Sequence, residues 1–407
     1  MRMAVQGTCD ERFSGVRDEF ERNFAERGES GAAVCVTVDG ETVVDLWGGA
    51  ADHESGRLWE EDTLVPVWSC TKGAVALVAH MLVARGELDF DAPVARYWPE
   101  FAKNGKDEIP VRMLLSHQSG LAALHEPIPD NALCDWELIV DLLAKEVPFW
   151  EPGTRHGYHA LTVGHLVGEL VRRVTGLSFG AFFREEIAAP LGLDFWVGLP
   201  EEHEPRVGRY ITWEPDPAGP MPKWMLAAAD PTSIPFALAM HSGGILMPEV
   251  INQRPVHAAE IPSANGITNA RGLAGMYRPL ALGGEFDGVR LVPEDAIPAM
   301  TRVESAGYDH TLCLPTRWSL GFNRPIDNRG GPEGARDSVI LSEEAFGHTG
   351  NGGSIGFADP KARLAMAYVM TKQGEGVGLE PRGQALVDAT YQSLGYHQPA
   401  NGGLWTR

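Results

Sequence analysis

Cysteine is scarce in this chain and basic residues are outnumbered. Five cysteines (Cys9, Cys35, Cys70, Cys134 and Cys313) are scattered over 407 residues. They are odd in number and lack the spacing of a disulfide framework or a zinc site, which fits a reducing compartment. The 34 Lys and Arg residues face 55 Asp and Glu, for a formal charge of −21. Nucleic acid or an anionic membrane would need basic patches that this balance withholds. No apolar run is long enough to span a bilayer. The N-terminal stretch carries Asp10, Glu11, Arg12 and Asp18 in place of a leader-like apolar core. The expectation is a cytoplasmic protein with neither nucleic acid nor membrane as partner. His156 and His159 have no third ligand at zinc spacing, and Gly374, Gly376 and Gly378 open no helix. No metal or other cofactor is implied, and the oligomeric state is left open.

What is present is a globular chain. Hydrophobic residues make up 44% and charged residues 22%, ordinary for a folded domain. The length allows two or three domains or one large domain with insertions. An acidic amphipathic helix is expected over 11–27, and strands over Ala32–Val38 and Glu41–Trp47 are joined by Asp39-Gly40, a hairpin signal. Shorter helices are expected from Val94 and over Val111–Leu115. Longer ones are expected over Val163–Val174 with Gly176 as its stop, Asn269–Leu282 and Gly383–Leu394. Strands are expected over Trp318–Phe322, Ser354–Ala358 and Leu364–Met370, and 200–265 reads as an irregular excursion. Strands at both ends with helices between imply one sheet built from both termini and a helical region inserted in the middle.

Ser69-Cys70-Thr71-Lys72 places a hydroxyl and an amine one helical turn apart at a helix start. Val75, Val78, Ala79, Leu82 and Val83 continue it as the apolar stripe of an amphipathic helix, with Arg85 in the last turn and Gly86 as the stop. A serine hydroxyl is a weak nucleophile until a nearby base takes its proton, and a helix start offers free N–H groups to a developing anion. Cys70, at the next position, reads as a buried small hydrophobe. Alone, S-x-x-K is a common match and carries little. Two further segments strengthen it. Tyr158 lies in a turn-rich loop before the Val163 helix, and His348-Thr349-Gly350 lies in a glycine-rich run leading into the Ser354 strand.

Ser69-x-x-Lys72, Tyr158-x-Ala160 and His348-Thr349-Gly350, in that order, resemble the three motifs of the serine β-lactamase and penicillin-binding-protein superfamily, and most nearly its class C-like branch, the family VIII carboxylesterases. Gly86-Glu87-Leu88-Asp89, Leu114 to Leu121, Pro190-Leu191-Gly192-Leu193 and Gly347 to Ser354 are similar too. The likeness spans most of 10–395 and is weakest over 200–260. It implies an α/β fold of the α+β type, a mainly antiparallel sheet flanked by helices, with a helical region. The sheet domain would comprise 1–72, 166–205 and 285–407, the helical domain 73–165 and 206–284, with the site in the cleft between. It also implies a serine carboxylesterase acting on small or short-chain esters. Ser69 would be acylated, a positively charged Lys72 would favour the phenolate of Tyr158, and the N–H groups of Ser69 and of Asn351, on the strand after the third motif, would hold the oxyanion. His348, Thr349, Gly350 and Trp68 would line the substrate site.

The departures bear on substrate. Members that handle β-lactams or peptides usually carry Asn at the position of Ala160 and Lys at that of His348; losing both removes contacts to an acylamino carboxylate. A β-lactamase or D-alanyl peptidase is the same-fold alternative, and a penicillin-binding-like sensor that acylates once the alternative of another class. Gly352-Gly353-Ser354-Ile355-Gly356 also matches a nucleophile elbow, with Asp388 and His397 following, but that elbow needs strand, turn and helix, whereas Ile355 to Ala358 reads as strand.

Overall fold

The computed structural model describes residues 5–214, 219, 221–400 and 402–407. Its central sheet is antiparallel and draws on both termini. From the first half come β1 (Gln6–Cys9), β2 (Gly31–Val38), β3 (Glu41–Asp52) and the short β4 (Arg57–Leu58). A separate hairpin pairs β5 (Ser305–Tyr308) with β6 (Pro315–Trp318). From the second half come β7 (Phe346–Thr349), β8 (Ile355–Asp359) and β9 (Leu364–Met370). The order across the sheet is β1-β3-β2-β9-β8-β7, with β4 on β3. Asp39 and Gly40 both adopt positive φ, 52° and 85°, the backbone that a tight hairpin between right-twisted strands requires.

Strands β2 and β9 are buried along almost their whole length, because both faces of the sheet are covered. On one side lie α1 (Ser14–Glu26) and the C-terminal helix (Pro381–Ser393), whose Val16, Phe20, Leu386 and Tyr391, with Phe13 just before α1, share a core with Val34, Val36 and Met366. On the other side lies the helix Ala270–Ala281, packed on β9, β8 and β2. It starts at Asn269, whose Oδ1 accepts the Gly272 N–H at 2.8 Å.

The helical region is built around α2 (Thr71–Ala84), with α3 (Val111–Leu115), α4 (Trp136–Lys145) and α5 (Thr162–Thr175) about it. The helices over 270–281 and 381–393 are hereafter α6 and α7. Three expectations need correction. The α2 stripe is not one face of an amphipathic helix: every residue from Thr71 to Leu82 is buried, since α2 runs between α5 and β7. The expected boundary at 165/166 falls inside α5, which packs on α2 and α4, and α6, assigned to the helical part, lies on the sheet. The strand expected at Trp318–Phe322 is β6, ending at Trp318; the chain then turns at Gly321 (φ 91°), where a Cβ would meet that of Ala76 at 2.5 Å.

The 200–265 excursion is irregular, with short helices at Lys223–Ala227, Ile234–Met240 and Arg254–Ala258; 215–218 and 220 lie outside the described residues. Among the described residues no helix is long and apolar enough to cross a membrane.

Helix α6 can approach β8 because Gly356 has no side chain. A Cβ there would stand 2.7 Å from both Leu273 Cγ and Tyr277 Cε2. Gly356→Ala is expected to lower stability by ~1–3 kcal/mol, the usual cost of overpacking, read as a lower urea midpoint at unchanged m-value.

Candidate active site

Ser69 stands in a sharp turn just before α2. Trp68 is held at φ 47°, a conformation rare for a bulky residue and kept only where the surroundings over-determine it. Here the Val67 and Trp68 carbonyls accept the N–H groups of Cys70 and Thr71 at 3.1 and 3.0 Å. The turn is also pinned from behind, since a Cβ on Gly350 would meet Val67 O at 2.4 Å and Ser354 Oγ at 2.1 Å.

Lys72 is 2% exposed. Its Nζ lies 2.8 Å from Ser69 Oγ, 2.7 Å from the Ala160 carbonyl and 2.6 Å from the Ser263 carbonyl. Carbonyl oxygens accept and cannot donate. An ammonium would donate to all three oxygens, whereas a neutral amine can give its two hydrogens to the two carbonyls and present its lone pair to the serine hydroxyl. Burial pushes the lysine well below its ordinary range, toward that neutral form.

Tyr158 is carried by the loop before α5, and four neighbours fix it. Its ring stacks on Trp318 at 5.1 Å and 4°, meets His117 edge-on at 5.1 Å, and lies 4.8 Å from Lys72 Nζ. Its N–H donates to both carboxylate oxygens of Asp309, at 3.0 and 3.1 Å. Burial raises the phenol's pKa, with the hydrogen bond to Ser69 opposing. Against the phenolate expected beside a lysine cation, the same dry environment disfavours both charges.

Asp309, fully buried, also accepts the N–H groups of Thr311 and Leu312 at 2.9 Å and the Thr316 hydroxyl at 3.2 Å. Sequence reading missed it, because Tyr308-Asp309-His310 has no pattern that sets it apart from an ordinary turn.

The third motif ends β7. His348 Nδ1 lies 2.7 Å from the Thr349 carbonyl, and burial above all lowers the ring's pKa to about 3. Thr349 N–H donates to Asn323 Oδ1 at 2.9 Å. Asn351 sits in the turn between β7 and β8, not on a strand as expected. The Tyr210 hydroxyl donates to its carbonyl at 2.9 Å, fixing that peptide. Among the described residues neither the Ser69 N–H nor the Asn351 N–H has a protein acceptor, so both are free for a ligand. Tyr210 lies in the irregular excursion and went unnoticed in the sequence.

These groups open on one pocket of about 970 Å³, mouth included, lined by Trp68, Ser69, Tyr158, Ala160, His348, Thr349 and Asn351. Its remaining wall is largely apolar: Leu161, Leu312, Leu314, Trp318, Ile326, Val339 and Val377, with Trp224, Leu238 and Leu246 from the excursion. Gly350, expected to touch substrate, is not in the lining; its part is to let the turn close on Val67. Ser354 is buried away from the pocket, its Oγ 3.4 Å from the Val67 carbonyl and accepting the Cys70 thiol at 3.5 Å. Asp388 is engaged by Gln384 and Trp405, and His397 pairs with the Thr406 backbone, so no triad forms there. Burial pushes the Cys70 thiol up to about 12, an inert group. His156 binds Thr316, and His159 binds Ser119 and Gly157.

A serine at a helix start, bonded to a buried lysine beneath a sheet-edge motif, defines a serine hydrolase of penicillin-recognising architecture. The chain belongs to the beta-lactamase family, whose model matches residues 17–390. It is 38% identical over 377 residues to the esterase/beta-lactamase LipL of Mycobacterium tuberculosis, covering 90% of this chain and 82% of that protein. Among solved structures it is similar to a family VIII carboxylesterase, with a TM-score of 0.84 at 39% identity over 96% of this chain and 100% of that one. A penicillin-binding-protein homologue from Caulobacter crescentus superposes with a TM-score of 0.85 at 38% identity, over 96% and 100% of the two chains.

Asp309→Ala would leave several buried donors without acceptors, at roughly 1–3 kcal/mol for each group left unpaired. The expected outcome is a lower melting temperature together with a fall in kcat, since Tyr158 loses its backbone anchor. An unchanged kcat in a folded variant would show that the anchor is dispensable.

Proposed function

We propose that this protein is a serine carboxylesterase that hydrolyses small carboxylic esters through an acyl-enzyme on Ser69. The observation that carries the reading is the Lys72 geometry: its Nζ lies within hydrogen-bond distance of the Ser69 hydroxyl and of the Ala160 and Ser263 carbonyls. Ser69 Oγ attacks the ester carbonyl as its proton passes to Lys72. The N–H groups of Ser69 and Asn351 receive the oxyanion, each donor of this kind contributing on the order of 3 kcal/mol. Tyr158, kept as the phenol, hands a proton to the departing alcohol and regains one from Lys72. Water then enters by the same route in reverse, and the carboxylic acid leaves.

An ester is favoured over a β-lactam because the position that carries a lysine cation in β-lactam-handling members holds a neutral histidine, and the pocket wall is mostly apolar. LipL's description as an esterase/beta-lactamase supports weak β-lactam hydrolysis as a side activity. A reducing, cytoplasmic setting fits five cysteines that are all unpaired.

Ser69→Ala should abolish turnover of p-nitrophenyl butyrate while Ser354→Ala keeps much of it, and a fluorophosphonate should label the Ser69 peptide. Steady turnover after the first acylation supports the esterase. A burst that stops at one equivalent would instead make the protein a sensor, and higher kcat/KM on a chromogenic cephalosporin would make it a β-lactamase.

The base can be tested through pH. Only the neutral amine accepts the Ser69 proton, so kcat/KM should fall as pH falls through the depressed Lys72 pKa. That limb should lie below the ordinary lysine value of ~10.4. Lys72→Arg, which cannot deprotonate, should be at least ~100-fold slower at every pH. An active arginine variant would remove Lys72 from the role of base.

A further inference from the structure

We propose that His348 is a hydrogen-bond acceptor for the alcohol arm of the substrate, and that the esters this site is built for carry a hydroxyl there, as monoesters of a polyol do, and not a carboxylate. The inference rests on the esterase reading and adds the substrate class. The Thr349 carbonyl, 2.7 Å from Nδ1, can only accept. Nδ1 therefore carries the ring hydrogen, and in the neutral ring Nε2 is left with a bare lone pair. That Nε2 is buried and has no protein partner among the described residues, in a residue that is 2% exposed and lines the pocket. A buried acceptor left unmade is costly, and a bound hydroxyl would satisfy it.

The ring also has a defined place in the reaction. It lies 6.0 Å, centroid to centroid, from the Tyr158 ring and 5.7 Å from Trp318, in the same pocket as the Tyr158 that would serve the departing alcohol. A carboxylate on that arm would set its lone pairs against the Nε2 lone pair, whereas a hydroxyl donates into it. A competing group shares the wall. Arg324 Nε is buried and without a partner, although the same guanidinium already donates to the Ala345 and Glu343 carbonyls. A substrate carboxylate would have to be held there.

Three butyrates of matched size decide between these: 2-hydroxyethyl butyrate, propyl butyrate and the butyrate ester of glycolate. With the unmodified protein, kcat/KM should be about tenfold or more higher for the hydroxyethyl ester than for the propyl ester, and lowest for the glycolate ester. His348→Phe, which keeps a flat ring and removes the acceptor, should erase the difference between the first two. If that variant does not fold, the ranking by the unmodified protein decides alone. Equal rates on hydroxyethyl and propyl butyrate, or a preference for the glycolate ester, would overturn the proposal and, in the second case, assign the arm to Arg324. p-Nitrophenyl butyrate serves as the control. Its turnover alongside either of those results would leave the esterase reading standing, and failure of every ester to acylate Ser69 would remove both.

Discussion

The site depends on how one buried amine is held. Lys72 Nζ is bonded to the Ser69 hydroxyl from the turn before α2, to the Ala160 carbonyl from the loop before α5, and to the Ser263 carbonyl from the end of the excursion. These segments are far apart in the chain and meet at this nitrogen. Ser263 extends the tie, its hydroxyl donating to the Leu161 carbonyl at 2.9 Å and accepting the Gly164 N–H at 2.7 Å. One residue thus holds both the amine and the first turn of α5. Without the lysine, two buried carbonyls would lose a donor, each at roughly 1–3 kcal/mol. The contact that prepares the nucleophile is therefore also a structural clasp between the α2 turn and the rest of the helical region.

Around that clasp the site is dry and works with neutral groups. Burial drives Lys72, His117, His159 and His348 toward their uncharged forms and keeps Tyr158 a phenol. The Asp309 carboxyl, with its several donors, sits behind Tyr158 and not in the pocket, while Arg317, Arg324 and Asp337 lie on the pocket wall. In so low a dielectric, oriented N–H groups at the oxyanion position act with little screening and need no reorganisation during the reaction. A neutral ester enters such a site without the desolvation cost that a carboxylate substrate would bring.

Much of this was legible from the chain. The hairpin at Asp39-Gly40, strand β9, helices α1, α5, α6 and α7, and the three motif positions follow from local signals of periodicity, turn chemistry and spacing. What was not legible is long-range. Nothing in Val75 to Val83 tells a one-sided stripe from a helix buried all round, because α2's surroundings are set by α5 and β7, distant in sequence. Whether α6 belongs to the sheet or to the helical region depends on Gly356 leaving room for Leu273 and Tyr277. The charge states are not legible for the same reason: the spacing of Lys72 and Tyr158 gives proximity, but burial, which shifts both toward neutral forms, is long-range. Asp309 bonds a partner 151 residues away, and no local pattern announces such a contact.

Tyr210 shows how the irregular excursion supports the turn that carries Ser69. It comes from the irregular excursion, yet its ring meets Trp68 edge-on at 5.9 Å and its hydroxyl holds the Asn351 carbonyl at 2.9 Å. Trp68 is the left-handed residue that presents Ser69, and Asn351 carries the other free N–H. One fully buried side chain therefore braces both of the free N–H groups proposed to hold the oxyanion. Backbone strain of ~1–3 kcal/mol at Trp68 persists because packing of this kind offsets it. The two donors must stay within a fraction of an ångström of their working positions, since misplacement by about 1 Å can cost ~100-fold in rate. The excursion thus contributes both to the pocket wall, through Trp224, Leu238 and Leu246, and, through Tyr210, to the backbone geometry of the turn that presents Ser69.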